Sequence, residues 1–251
     1  MNLKKLNEII KDEPSYRLKQ IKRSLFIDLI DNWKQASTLS KELREKLSRD
    51  FPIFIKEESL ISEDKKTIKS LITLEDGQKI ETVLMRHKDK RNTVCLSSQV
   101  GCPLACEFCA TGKFGFVRNL TVSEIVIQLL FFARLLNKEE ERVTNIVFMG
   151  MGEPFLNYDN VLKAIRIFND KEGFNIGARR ISISTAGIIE GIDRLSKEKL
   201  QVNLAISLHA AKNDLRLKLM PINKKYPLDK VLASVDRFIK KTRRKVMLSM
   251  L

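Results

Sequence analysis

Three of the four cysteines in the 251-residue chain fall in one short stretch, "GCPLACEFCAT", as Cys102, Cys106 and Cys109 with the spacing C-x3-C-x2-C; the fourth, Cys95, lies seven residues upstream of Cys102. Thiolates this closely spaced are metal ligands before they are anything else. Two metal chemistries compete. Zinc would take the three loop cysteines with Cys95 as a fourth ligand, although structural zinc sites usually use paired C-x2-C knuckles and only one such pair is present. An iron–sulfur cluster would use the three loop cysteines on three irons of a [4Fe–4S] cube and leave the fourth iron open for a substrate or cofactor. Phe108, just before the third cysteine, is placed to shield such a cluster from water. Three reduced structural thiols are the plainest alternative. A disulfide framework is excluded, because four clustered cysteines cannot staple a chain of this length.

The elements around the loop supply its context. Residues 1–66 read as a mostly helical accessory domain: "LKKLNEII", then "EPSYRLKQIKRSLFIDLI" with Pro14 near a helix start and Leu18, Ile21, Leu25 and Leu29 along one stripe, then "LSKELREKLSRDF". Arg17, Lys19, Lys22 and Arg23 form a basic face. Residues 67–92 read as a β-hairpin linker whose turn is Asp76-Gly77. From 93 to 251 strands and helices alternate: "NTVCLSS", a helix opened by a capping box of Thr121 and Glu124, "TNIVFMG", "ARRISISTAG", "VNLAISLHA" and "RKVMLSML", with helices between. The implied fold is α/β, a partial (β/α) barrel with a small N-terminal helical domain. Such barrels place chemistry in loops at the carboxyl ends of strands. The cysteine loop, "GMGEP", "STAG" and "SLHA" all fall there.

The cysteine spacing, on the loop after the first barrel strand, resembles the signature of the radical S-adenosylmethionine (SAM) enzymes. "MGMGEP" after the second strand resembles that superfamily's Gly-Glu stretch: glycines allow close backbone approach, and Glu153 can pair with an ammonium. Longer stretches narrow the choice. "CLSSQVGCPLACEFCATGKFGFVRNLTVSEI", "NIVFMGMGEPFLNYDNV", "RRISISTAG", "LAISLHA", "LMPINKKYPL" and the N-terminal "EPSYRLKQI" closely resemble the RlmN/Cfr family of RNA adenine methyltransferases, over essentially the whole chain.

The resemblance implies a [4Fe–4S] cluster on Cys102, Cys106 and Cys109, and SAM contacts at Gly152, Glu153, Ser184, Ser207, Leu208 and His209. It implies Glu81 as the proton acceptor and Cys95 as the resolving cysteine, which would form a disulfide with a methyl-carrying cysteine near the family's C-terminus. The activity implied is methylation of adenine, at carbon 2 in RlmN and carbon 8 in Cfr. "MGEP" and "SQVGC" look more like RlmN. The implied partners are 23S ribosomal RNA, transfer RNA, and an electron donor such as flavodoxin or ferredoxin. No cysteine follows Cys109, and "MLSML" replaces the family's glutamate-tyrosine stretch. The sequence therefore reads as a truncated form, expected to bind the cluster and SAM but not to methylate RNA by itself.

The bulk composition agrees with an RNA partner. With 46 Lys+Arg against 31 Asp+Glu, the net charge is +15, a surplus that favours a polyanion. No apolar run approaches the roughly 20 residues of a membrane-spanning helix, and the N-terminus lacks a signal-peptide core; a cytoplasmic protein without a membrane partner is expected. Two readings of other classes stand beside the methyltransferase: a non-catalytic metal-containing RNA-binding protein, and a radical SAM activase acting on a protein glycyl radical.

Overall fold

A computed structural model of the protein describes residues 3–250. Three helices come first: α1 (Leu3–Ile9), α2 (Ser15–Phe26) and α3 (Lys41–Asp50). Pro14 precedes α2, where its missing N–H costs nothing, and Ile21 and Leu25 of the expected stripe are fully buried. Ser40 caps α3 by accepting the Leu43 N–H at 3.3 Å. The buried Trp33 donates its indole N–H to Phe51 O at 2.8 Å and closes the module. Lys19, Lys22 and Arg23 are exposed, and Arg17 is half-buried.

The strands are β1 (Lys56–Ile61), β2 (Thr67–Thr73), β3 (Lys79–Arg86), β4 (Asn92–Cys95), β5 (Gln99–Gly101), β6 (Phe116–Asn119), β7 (Asn145–Phe148), β8 (Ile181–Thr185), β9 (Asn203–Ser207) and β10 (Val246–Ser249). Eight of them form one sheet in the order β1-β2-β3-β4-β7-β8-β9-β10; β5 and β6 pair separately. From β1 to β4 neighbours are antiparallel, and from β4 to β10 they are parallel. The later helices are α4 (Ala110–Lys113), α5 (Val122–Asn137), α6 (Tyr158–Asn169), α7 (Ile189–Leu195), α8 (Asn213–Leu219) and α9 (Leu228–Thr242). The expected capping box opens α5, with Thr121 Oγ1 accepting the Glu124 N–H and the Glu124 carboxylate accepting the Thr121 N–H.

The N-terminal segment departs from the sequence expectation in two respects: α2 ends at Phe26, so Leu29, with φ +54°, lies beyond the helix whose stripe it was expected to share, and a strand follows the helices. Helix ends at Asp50, and "KEESLI" is strand β1. Its residues are almost all exposed, so it carries no inward apolar alternation for a sequence reading to detect; it is held by its pairing with β2. The hairpin turns at Asp76-Gly77 as expected, and β3 continues the sheet by pairing Val83 with Cys95 of β4. The helical module joins the same core: Arg134 of α5 donates to the carbonyl oxygens of Ile53 and Ile30, and burial pushes its guanidinium pKa down to about 10.

Because paired positions share a face, the register separates two surfaces of the sheet. Ile72, Ile80, Leu84, Val94, Ile146, Ile181, Ile183, Leu204 and Ile206 lie on one face, fully or almost fully buried in one core with residues of α5, α6, α7 and α9. The opposite face carries Glu81, Val83, Cys95, Val147, Ser184 and Ser207, all half-exposed.

Candidate functional site

The cysteine loop is built as a closed bracket. β5 and β6 pair antiparallel at its root, and the Cys102 N–H donates to Gly115 O at 2.8 Å. Gly101 has φ +73°, and a Cβ there would sit 1.9 Å from Gly115 O, so only glycine permits the closure. Inside the loop the Cys109 N–H donates to Cys106 O at 3.0 Å, and the Glu107 N–H donates to Leu219 O of α8 at 3.0 Å. Cys102, Leu104, Ala186 and Met220 form a small apolar cluster apart from the main core, with Cys106 packed against it.

Cys102 is buried, and Cys106 and Cys109 are half-buried. Burial pushes the Cys102 and Cys106 thiols up to about 11, and the neighbouring Cys109 and Glu153 add to the shift in each. The three loop thiols therefore lie within one another's field. Among the described residues, no three His, Cys, Asp or Glu side chains are grouped so as to hold a metal ion. The donor chemistry nonetheless fits an iron–sulfur cluster, whose irons take soft thiolate sulfurs of the kind these three residues supply from one loop. Cys95 is set apart. It lies on the open sheet face at the end of β4, burial pushes its thiol up to about 11, and it takes no part in shifting the loop thiols. That separation disfavours a four-thiol zinc site. All four cysteines are free thiols.

The strand-end loops close around this bracket. "GMGE" is locked to residues 97–99: the Met151 N–H donates to Ser97 Oγ at 2.8 Å, Met151 O accepts from the Ser98 N–H at 2.8 Å, and the Glu153 N–H donates to Gln99 Oε1 at 2.8 Å. Gly152 has φ +97°, and a Cβ would meet Gln99 Cβ at 2.5 Å. Glu153 is 3% exposed. Its carboxylate accepts the Phe155 N–H at 3.0 Å and the Ala186 N–H at 2.7 Å, and burial pushes its pKa up to about 7. The carboxylate expected to meet an ammonium is thus engaged by the protein's own amides.

Ser184 and Ser207, at the ends of β8 and β9, stand with their Oγ atoms 3.1 Å apart. Leu208 is buried, and His209 has φ +59°, a left-handed conformation that costs a non-glycine residue. The His209 imidazole packs edge-on to Phe108 of the cysteine loop, with ring centroids 4.7 Å apart, and its buried Nδ1 has no partner. Burial, then the charge of Arg216, holds its pKa below the ordinary histidine value. An unpartnered buried nitrogen in a strained residue at a strand end is what a polar ligand would satisfy.

Glu81 lies two residues from Val83 along β3, on the face that Val83 shares with Cys95. Its carboxylate sits 2.7 Å from Lys69 Nζ of β2, and Ser97 Oγ donates to Glu81 O at 2.5 Å, fastening β3 to the segment that leads into the cysteine loop. The structure therefore gathers two groups: the cysteine loop with Glu153 and the ends of β8 and β9, and Glu81 with Cys95 on the adjoining open face. Sequence reasoning missed Lys69, Gln99 and Arg216. In a chain with 46 Lys+Arg, neither cation carries a local signal; only tertiary placement distinguishes them.

A three-cysteine loop after the first parallel strand, with polar strand ends turned toward it, defines a radical SAM enzyme, and residues 96–251 match the Radical SAM superfamily. The probable dual-specificity RNA methyltransferase RlmN of Dictyoglomus turgidum is 50% identical over 234 residues, covering 93% of this chain and 67% of that protein. The protein of the same name from Chloroflexus aurantiacus is 43% identical over 253 residues, covering 98% and 67%. The crystal structure of a radical SAM methyltransferase from Sphaerobacter thermophilus superposes with a TM-score of 0.93 at 42% identity, covering 100% of this chain and 74% of that one. The chain belongs to the RlmN family of radical SAM RNA methyltransferases, and spans about two thirds of the length of these curated relatives. Among the described residues no helix is long and apolar enough to cross a membrane.

Proposed function

We propose that the chain carries the cluster and SAM site of a methyltransferase that modifies carbon 2 of an adenine in 23S ribosomal RNA and in transfer RNA, through a methyl-cysteine intermediate. The observation that carries this reading is the packing of the three-cysteine loop against the ends of β8 and β9, with Phe108 on His209. Cys102, Cys106 and Cys109 would hold a [4Fe–4S] cluster, and Gly152, Glu153, Ser184, Ser207, Leu208 and His209 would line the SAM pocket. Bound there, the cluster and SAM supply the one-electron chemistry that lets a methyl group reach an unactivated ring carbon.

The chain's own residues then have distinct tasks. The apolar cluster of Leu104, Ala186 and Met220 keeps water from one side of the loop. Glu81 accepts the ring proton; its carboxylate is half-exposed on the open face and oriented by Lys69. Cys95 would serve as the resolving thiol; burial pushes it up to about 11, so it would have to give up its proton to a base as its sulfur forms the disulfide. The methyl-carrying cysteine is not among the 251 residues, whose last cysteine is Cys109. A net charge of +15 suits an RNA substrate held by its phosphates. The cytoplasm, with flavodoxin or ferredoxin as the electron donor, is the corresponding setting.

Electron paramagnetic resonance on anaerobically reconstituted, dithionite-reduced protein, with and without SAM, tests this. The expected result is a reduced cluster signal that changes when SAM is added. Zinc in place of iron would return the cysteines to a structural role. A methyl group found on carbon 8 by mass spectrometry of RNA treated with a longer form that includes the methyl-carrying cysteine would overturn the carbon 2 assignment.

A further inference from the structure

Among the described residues, Arg216 is the sole Lys or Arg that is buried, at 0% exposure. It lies on α8, the helix whose last residues contact the cysteine loop: Leu219 O accepts the Glu107 N–H, and Met220 packs against Cys102. Its guanidinium makes four hydrogen bonds, to Ala186 O at 2.5 Å, Leu208 O at 3.2 Å, Asn223 Oδ1 at 2.6 Å and Tyr226 O at 3.4 Å. None of these acceptors is a carboxylate. A cation taken out of water without a counter-ion is costly, so its neighbours and its position call for a reason.

Its acceptors indicate that reason. Ala186 follows β8 and Leu208 follows β9, so one planar fork spans the ends of both strands that carry the proposed SAM contacts. Ala186 is held from its other side as well, because its N–H donates to Glu153. Asn223 extends the network, its amide donating to Asn213 at the start of α8. The charge of Arg216 also stands near the loop, because the helix that carries it is bonded to Glu107 and packed on Cys102.

We infer that Arg216 is a positioning residue of the cofactor site: its buried guanidinium ties the ends of β8 and β9 to the helix beneath the cysteine loop and presents a buried positive charge to the thiolates there. The inference rests on the cluster-and-SAM reading of the site. A cluster held by three thiolates is anionic, and a fixed cation beside it in a low-dielectric setting favours the reduced, more negative state. Lysine would keep the charge but not the four-way fork.

The test compares R216K and R216Q with the unaltered chain, each reconstituted anaerobically, by iron content, redox titration followed by paramagnetic resonance, and SAM binding. R216K is expected to keep the midpoint potential while weakening SAM binding about tenfold or more and blunting the SAM-induced spectral change. R216Q is expected to move the midpoint potential to more negative values. A purely structural role would lower thermal stability and leave the SAM response of R216K intact, and that result overturns the inference. So does a wild-type potential in R216Q. Where R216Q does not fold, the SAM response of R216K decides alone. An unaltered chain that binds no iron overturns the cofactor reading and this inference with it; an unaltered chain that responds to SAM beside unaffected variants overturns this inference only.

Discussion

The carboxylate of Glu153 accepts the backbone N–H of Ala186, 33 residues later in the chain, at 2.7 Å. This bond joins the bend after β7 to the end of β8, and it lies inside the protein. Burial raises the Glu153 pKa from 4.5 to about 7, and the two amide donors oppose the shift without cancelling it. The folded state therefore holds a proton that the unfolded state releases. The stability from this group is fully present below about 4.5 and is lost as pH rises through about 7. A shift of that size corresponds to about 3 kcal/mol. E153Q cannot titrate, so the stability difference between the metal-free wild type and E153Q should shift against the wild type across this window. Denaturant melts of the two proteins at several pH values measure it. A difference that does not vary with pH would show that Glu153 is ionised in the folded protein.

The separation of Cys95 from the other cysteines gives a second prediction. C102S, C106S and C109S should each abolish or strongly reduce iron binding after anaerobic reconstitution, because each removes one of three donors. C95S should retain iron and visible absorbance at wild-type levels. Iron and zinc content by elemental analysis checks both. Equal loss in all four variants would point to a four-thiol site, which the placement of Cys95 on the sheet face opposes.

Much of this organisation was legible in the residues, and what escaped did so for physical reasons. The parallel strands show because their apolar positions are buried in the core, as in Ile181 and Ile183 of β8. The hairpin shows because Asp76-Gly77 is turn chemistry, with Asp76 Oδ1 accepting the Gln78 N–H. β1 escaped because its side chains face solvent, and β5, with three residues, is too short to carry a period. In the site, glycine and cysteine spacing marked the loop, since those residue types are costly to substitute. Arg216 and Gln99 escaped because their roles depend on where distant carbonyls and amides converge. The place of Glu153 after a strand was legible, but its burial and its commitment to two backbone amides were not visible in the string "MGEP".

Gly101 gives the most stringent packing prediction. A methyl group there meets Gly115 O at 1.9 Å, and the backbone lies at φ +73°. G101A must therefore open the bracket between β5 and β6. The expected cost is several kcal/mol from clash and strain together. Thermal melts should show a lower midpoint, and iron binding should fall with it, because the Cys102 N–H closes on the same carbonyl. A variant with wild-type melting and iron content would mean that the loop relaxes freely.

The pairing of Glu81 with Lys69 separates stability from catalysis. Both side chains are nearly half exposed, at 45% and 47%, and their charged atoms are 2.7 Å apart. Pairs of this kind contribute less than about 1 kcal/mol to folding, so E81Q and K69M should melt close to the wild type. Glu81 lies outside the cysteine loop and the strand ends, so E81Q should also keep its iron and its response to SAM. As the proton acceptor, however, the carboxylate would be needed for methyl transfer, and positioned bases contribute about 100-fold or more. Placed in a longer form of the protein that includes the methyl-carrying cysteine, E81Q is expected to lose at least that factor in methyl transfer to RNA, assayed with loaded enzyme. K69M should lose less, because it removes the group that orients the carboxylate and leaves the base in place. If E81Q methylates RNA at the wild-type rate, the proton leaves by another route, and the Lys69–Glu81 pair is a cross-strand contact of the sheet alone.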